Sequence, residues 1–103
     1  MEGGNVKSSE PLRRKHLIIS GVVQGVGFRW RARQAANAVG VTGWVRNDRL
    51  GTVSMELQGT EAKIDRVLQM LDRAPWIHIE DINIRTIPLE MDESSFVTRD
   101  DEN

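Results

Sequence analysis

Gly21-Val22-Val23-Gln24-Gly25-Val26-Gly27-Phe28-Arg29 lies between a short apolar run and a segment whose apolar residues have helical spacing. This stretch, residues 21 to 29, therefore predicts the end of a strand, a glycine loop and the first turn of a helix. Gly25 and Gly27 can adopt positive φ without a Cβ clash, so the backbone N–H groups of residues 24 to 28 can converge on one point. Converging N–H groups at a helix N-terminus favour a bound phosphate or carboxylate.

Three arginines, Arg29, Arg31 and Arg33, crowd the start of the predicted helix. Cations at this end oppose the helix dipole by roughly 0.3 to 1 kcal/mol each, and an anion beside Arg29 would remove the conflict. The glycine pattern by itself is also typical of a tight turn beside a solvated arginine. Trp30 stands where the dinucleotide fingerprint needs a third glycine, and no Gly-Lys-Ser/Thr is present. The local pattern therefore leaves an anion site and a plain turn both open.

Two separate stretches, Val23-Gln24-Gly25-Val26-Gly27-Phe28-Arg29 and Gly43-Trp44-Val45-Arg46-Asn47, agree in order and spacing with the signature stretches of a known family. In both, the chain resembles the acylphosphatases, and the resemblance covers residues 15 to 99. It implies that Arg29 is the phosphate-binding cation and that Asn47 orients the attacking water. It also implies a phosphate-binding loop formed by Gln24, Gly25, Val26, Gly27, Phe28 and Arg29, with no metal or cofactor.

The chain departs from the family pattern just after Asn47. Leu50-Gly51 stands where the family often has Asp-Gly, and Ser54 stands where it often has a glutamate. These changes alter a turn and a strand surface without touching Arg29 or Asn47. They bear on how the turn closes over the site.

The composition is that of one small soluble domain. The chain has 103 residues, 14 Lys and Arg against 15 Asp and Glu, and no cysteine. A net charge of −1 lacks the basic excess typical of nucleic-acid binding, and the absence of cysteine excludes disulfide and thiolate chemistry. The polar start of the chain does not resemble a signal peptide, and no apolar run reaches membrane-spanning length. We therefore expect a cytoplasmic monomer that binds neither nucleic acid nor membrane.

Apolar spacing predicts strands at 15–20, 41–47, 52–58 and 77–84, a short edge strand at 95–98, and two helices. The first helix carries an apolar stripe from Phe28 to Val39 and ends at Gly40, and the second begins after the N-cap Thr60. The apolar phase slips at Glu80-Asp81, which predicts a bulge or break. Residues 1–14 are expected to form a disordered tail, and 100–103 a solvated acidic tail. The strand and helix order predicts an α+β ferredoxin-like sandwich (βαββαβ), in which two helices cover one face of an antiparallel sheet. The resemblance to the acylphosphatases implies the same fold.

The candidate site has a phosphate cradle, one cation and one amide, with no recognisable metal-ligand spacing. Such a set suffices for an easy phosphoryl transfer. A carboxyl-phosphate anhydride meets this condition because its carboxylate leaving group, with a pKa of roughly 4, departs without a general acid. The sequence thus predicts hydrolysis of small acyl phosphates, with inorganic phosphate or sulfate as competing anions.

Two other functions remain open at this point. One is a non-catalytic anion-binding module. The other is an RNA-recognition module, which has the same element order but should display stacking aromatics on its central strands. The exposed positions predicted for the third strand are Thr52, Ser54, Glu56 and Gln58, none of which is aromatic.

Overall fold

The structure, a computed structural model, describes residues 10–102. The first nine residues of the predicted N-terminal tail lie outside the described residues, as does Asn103. In chain order the elements are β1 (Leu12–Val22), α1 (Phe28–Val39), β2 (Thr42–Asn47), β3 (Val53–Thr60), α2 (Glu61–Asp72), β4 (His78–Ile87) and β5 (Phe96–Thr98). Neither helix combines the length and the apolar character that crossing a membrane would need.

The five strands form one sheet in the order β4-β1-β3-β2-β5. β1 pairs antiparallel with both β3 and β4, and β2 pairs antiparallel with β3. The short edge strand β5 runs parallel to β2, which makes the sheet mixed at that edge. The predicted ferredoxin-like α+β fold is confirmed.

One hydrophobic core lies between the sheet and the two helices. α1 contributes its predicted stripe of Phe28, Ala32, Ala35 and Ala36, and Gly40 ends the helix with a φ of 87°. α2 begins as predicted at Thr60, whose hydroxyl accepts a hydrogen bond from the backbone N–H of Lys63. Its buried residues are Ile64, Val67 and Leu71. Both helices therefore fix their orientation by burying one apolar stripe.

The predicted irregularity in β4 is confirmed. Ser20 pairs with Asp81 while the next residue of β1, Gly21, pairs with Ile79, so Glu80 is the extra residue of a bulge. Gly21 has a φ of 130°, and a Cβ there would lie 2.2 Å from the carbonyl oxygen of His78. The close backbone approach at the bulge explains the glycine.

The first strand begins at Leu12, three residues before the predicted boundary at residue 15. Arg14, assigned from sequence to the tail, is only 2% exposed. Its guanidinium donates to carboxylate oxygens of Glu56 (2.9 Å) and Glu93 (2.7 and 3.1 Å). Burial lowers the pKa of Arg14, but hydrogen bonds and charges from Glu93 and Glu56 outweigh that effect and raise it above its ordinary value. The pair with Glu93 links the first strand to the segment before β5.

The four polar residues predicted to be exposed on the third strand, Thr52, Ser54, Glu56 and Gln58, are less exposed than expected, because Ser54 is buried and the other three are half-buried. Ser54 is 5% exposed, and Glu56 lies between Arg14 and His16, whose Nδ1 is 2.7 Å from the second carboxylate oxygen. Burial raises the pKa of Glu56, but hydrogen bonds with His16 and Arg14 outweigh this and lower it below the ordinary carboxylate value. Polar side chains from distant segments cover this face of the sheet.

Candidate active site

The loop between β1 and α1 brings backbone donors to one place. Gly25 and Gly27 have φ values of 75° and 78°, in the left-handed region that only glycine enters at little cost. The first helical hydrogen bond runs from the N–H of Arg31 to the carbonyl of Gly27, and Gly27 has no side chain that could cap the helix. Within residues 10–102, the backbone N–H groups of residues 25 to 30 have no protein acceptor. These unpartnered donors can bind an anion.

A cavity of about 440 Å³ opens beside this loop. It is lined by Val23, Gly25, Gly27, Phe28, Arg29, Trp30, Arg33, Asn47 and Thr98. Five of the residues singled out from sequence, Gly25, Gly27, Phe28, Arg29 and Asn47, thus border one cavity. A Cβ at Gly25 or Gly27 would meet no atom within 4 Å, so the loop backbone itself is open to the cavity.

Asn47 is the last residue of β2, where the strand reaches the cavity. Its backbone pairs in register with Val53, and its carbonyl oxygen accepts from the N–H of Glu102 at 2.9 Å. Among residues 10–102 its side-chain amide has no hydrogen-bond partner, so both its donor and its acceptor are available to a bound water or substrate. The strand fixes the backbone of Asn47 and leaves its side chain unengaged.

Arg29, on the first turn of α1, lines the cavity next to the glycine loop and places its positively charged guanidinium there. Its Nη1 donates to a carboxylate oxygen of Asp101 at 2.7 Å, with the two side chains 35% and 60% exposed. The residues predicted to form a solvated tail are exposed from 100 to 102, but they continue alongside β2. The N–H of Arg99 donates to the carbonyl of Val45, and Glu102 accepts from the N–H of Arg49.

The chain matches the family model described as Acylphosphatase over residues 15–98. It belongs to the acylphosphatase family. An acylphosphatase from Bifidobacterium longum (strain NCC 2705) is 36% identical over 85 residues, covering 82% of this chain and 88% of that protein. The structure of an acylphosphatase from Coxiella burnetii superposes with a TM-score of 0.78 at 32% identity, covering 85% of this chain and 93% of that one.

The acylphosphatase from Bacillus subtilis gives the same TM-score of 0.78 at 26% identity, over 86% of this chain and 99% of that one. The resemblance inferred from the two signature stretches is therefore confirmed. The family and the names of these relatives support hydrolysis of acyl phosphates as the activity of the chain.

Two loop residues of this acylphosphatase family member, Gln24 and Val26, do not line the cavity. The side-chain amide of Gln24 donates to the carbonyls of Asp48 and Thr52, both at 2.8 Å. Val26 is partly buried against the core. Gln24 thus ties the glycine loop to the turn that follows Asn47, which holds the two halves of the site in one arrangement.

Asp48 organises the turn after β2, where the sequence departs from the family pattern. Its carboxylate accepts from the hydroxyls of Thr52 (2.8 Å) and Ser54 (2.7 Å). The N–H of Asp48 donates to the carbonyl of Thr52, closing the hairpin. Ser54 therefore supports the turn from the neighbouring strand, while Leu50 is exposed at its tip.

Sequence reasoning assigned no role at the site to Trp30, Arg33, Thr98 and Asp101. The three arginines at the helix start were the sequence feature that could have indicated some of these residues. In the structure the three lie in different surroundings. Arg29 and Arg33 line the cavity, whereas Arg31 does not and lies over the ring of Trp76 at 5.7 Å. No sequence pattern connects Asp101 with Arg29, because they are 72 residues apart and meet only through the pairing of β5 with β2.

Proposed function

We propose that this chain hydrolyses the carboxyl–phosphate bond of small acyl phosphates, without a metal or cofactor, to a carboxylate and inorganic phosphate. The observation that supports this most is the meeting of Arg29 and the unpartnered loop N–H groups at one cavity with an unengaged asparagine amide. Arg29 and the loop N–H groups suit the negatively charged phosphoryl group, and the amide of Asn47 suits a neutral nucleophile such as water. Phosphoryl transfer depends on such positioning and charge stabilisation.

In this mechanism the loop N–H groups and Arg29 hold the phosphoryl oxygens. Asp101 engages only Nη1 of Arg29, and a guanidinium has five donors, so the others remain available for phosphoryl oxygens. An exposed ion pair of this kind contributes about 0 to 1 kcal/mol. A doubly charged phosphoryl group that also meets several backbone donors should therefore compete successfully with Asp101 for the guanidinium.

Asn47 aligns the attacking water, since its amide can both donate and accept while staying uncharged across the working pH range. An amide cannot deprotonate the water, so an oxygen of the substrate takes the proton. The carboxylate then leaves without protonation, because its conjugate acid has a pKa of roughly 4. No side chain has to act as a general acid or base.

We further propose that inorganic phosphate and sulfate compete with substrate, that the protein acts as a cytoplasmic monomer, and that nucleic acid is not a ligand. The cradle recognises the tetrahedral anion and not the acyl group, which supports the competition. Trp44, the aromatic residue of strands β1 to β3, is 6% exposed and lies beneath the guanidinium of Arg99 at 4.3 Å. A stacking platform for bases needs exposed rings, so this burial argues against RNA binding.

The test is the release of phosphate from benzoyl phosphate and acetyl phosphate with and without the protein, in buffer containing EDTA. We expect turnover well above spontaneous hydrolysis, competitive inhibition by phosphate and sulfate, and much weaker inhibition by chloride at equal ionic strength. Phosphate binding by calorimetry without any turnover would make the chain a non-catalytic anion-binding module. Turnover that EDTA abolishes would contradict the metal-independent mechanism.

A further inference from the structure

The cavity contains two large side chains that the proposed phosphoryl site does not use, Trp30 and Arg33. At about 440 Å³ it falls within the range of roughly 300 to 1,000 Å³ typical of small-molecule sites, and it exceeds what a phosphoryl group alone requires. The remaining space is where the acyl part of a substrate would lie. The character of these two side chains therefore bears on which acyl groups are accepted.

Arg33 gives this part of the cavity a second positive charge. It is exposed, and no residue of the described range 10–102 forms a hydrogen bond or an ion pair with it. Arg29 and Arg33 are four residues apart on α1, so their Cβ atoms stand about 5 to 6 Å apart on the same face of the helix. Like charges at this spacing destabilise a helix, and Asp101 offsets only the first of them. Among the residues that the structure describes, no carboxylate lines the cavity near Arg33.

Trp30 adds an apolar surface at the same place. Its side chain is 62% exposed although it lies at the cavity wall, next to Arg29 in sequence. Isolated exposed tryptophans occur on many proteins, and Trp76 is equally exposed outside this cavity. What distinguishes Trp30 is its position beside the cation-lined part of the cavity, where carbon atoms of an acyl group can lie against the ring.

We propose that Trp30 and Arg33 form the acyl subsite of this enzyme and that they favour acyl phosphates whose acyl group carries a second negative charge. This rests on the proposed function, because it assumes that the phosphoryl group lies at Arg29 and the glycine loop. The acyl carbons pack on Trp30, and the second anionic group pairs with Arg33. Arg33 would then select among substrates without taking part in the bond cleavage.

The test compares benzoyl phosphate with 4-carboxybenzoyl phosphate, a rigid pair differing in one carboxylate, and uses 4-carbamoylbenzoyl phosphate as a neutral control of the same size. Arg33→Gln should lower kcat/KM for the carboxylated substrate about three- to fivefold more than for the two neutral-tailed substrates, which is the upper part of the range for an exposed ion pair. Added salt should reduce the wild-type preference. Arg66→Gln, at an exposed arginine of α2 outside the cavity, should change none of the three.

Trp30→Ala should lower kcat/KM for benzoyl phosphate relative to acetyl phosphate by about three- to fivefold, because the ring loses its apolar partner surface. Trp76→Ala is the matched control at an exposed tryptophan and should leave this ratio unchanged. An equal effect of Arg33→Gln on charged and neutral substrates, or an unchanged ratio in Trp30→Ala, would overturn the assignment of the subsite.

A binding experiment separates this proposal from the proposed function. Calorimetry with benzylphosphonate and 4-carboxybenzylphosphonate, neither of which can be hydrolysed, should show tighter binding of the second by the wild type and loss of that difference in Arg33→Gln. This outcome supports the subsite even if no acyl phosphate is turned over. Equal affinities in the wild type would overturn the subsite while leaving hydrolysis of benzoyl phosphate intact.

Discussion

Replacing Asn47 by alanine removes the amide proposed to align water and changes little else. Within the described chain its side chain has no hydrogen-bond partner. The backbone bonds that hold the residue, including the one that its carbonyl accepts from Glu102, do not involve the side chain. Substitutions without such contacts usually change stability by no more than about 0.5 kcal/mol. The variant should therefore fold like the wild type.

The expected kinetic effect is much larger than the effect on folding. If Arg29 and the loop N–H groups supply most of the substrate binding, the amide acts mainly in the transition state. Loss of one preorganised group of this kind lowers kcat by roughly 10²-fold, equivalent to about 2.7 kcal/mol, and leaves KM within a few-fold. Because the expected rise in activation free energy is several times the expected change in unfolding free energy, a loss of activity in this variant can be attributed to the amide and not to misfolding.

The measurement is steady-state hydrolysis of benzoyl phosphate, together with urea unfolding of the same preparation. Asn83→Ala, an exposed asparagine on the outer strand β4 away from the cavity, is the control and should retain full activity. A large rise in KM at unchanged kcat would make Asn47 a binding residue. Wild-type activity would reduce it to a turn residue and refute the proposed role.

Three further outcomes are expected. Arg29→Lys should lower kcat/KM by roughly tenfold or more although the charge is kept, because an ammonium lacks the planar fork of donors; near-normal turnover would remove Arg29 from its role. Gln24→Ala should lower the unfolding free energy in urea by only about 1 kcal/mol, because the carbonyls of Asp48 and Thr52 each keep a backbone donor. Gln24→Glu should lower it by at least about 3 kcal/mol, because a carboxylate oxygen would then face both carbonyl oxygens. Glu56→Gln should lower the unfolding free energy by about 1.5 to 3 kcal/mol at pH 7. The pKa of Glu56 is lower in the folded state, so the stability that its carboxylate contributes is complete above the unfolded-state pKa of roughly 4.3. This contribution is lost as the pH falls through the folded-state pKa. A difference in unfolding free energy between wild type and Glu56→Gln that stays constant down to pH 3 would contradict this.

Features that depend on neighbours in sequence were predictable. The apolar stripe of α1, the glycine that ends it and the threonine that begins α2 each act within one or two turns of helix, where spacing determines which residues face the core. The bulge at Glu80 was visible for the same reason, because an extra residue shifts the phase of a strand. The meeting of the two signature stretches at one cavity followed from the resemblance and not from these local patterns.

Features that depend on distant segments were not predictable from spacing. Arg14 read as part of a polar tail, yet the carboxylates of Glu56 and Glu93 come from segments 42 and 79 residues away and allow its burial. A charged side chain is buried only when such partners are present, and single-sequence patterns do not reveal them. The contact of Asp101 with Arg29 could not be predicted from spacing either, since the pairing of β5 with β2 is what brings the end of the chain back to the site.

The pair between Arg29 and Asp101 explains how the helix start tolerates its cations when no substrate is bound. Arg29 opposes the helix dipole, and Arg33 repels it from the next turn. A carboxylate beside Arg29 offsets both effects, and because it comes from an exposed segment the pair contributes only about 0 to 1 kcal/mol. A stronger, buried pair would compete with the phosphoryl group for the guanidinium. The weak pair therefore offsets the charge of Arg29 and still leaves the other guanidinium donors accessible to an anionic substrate.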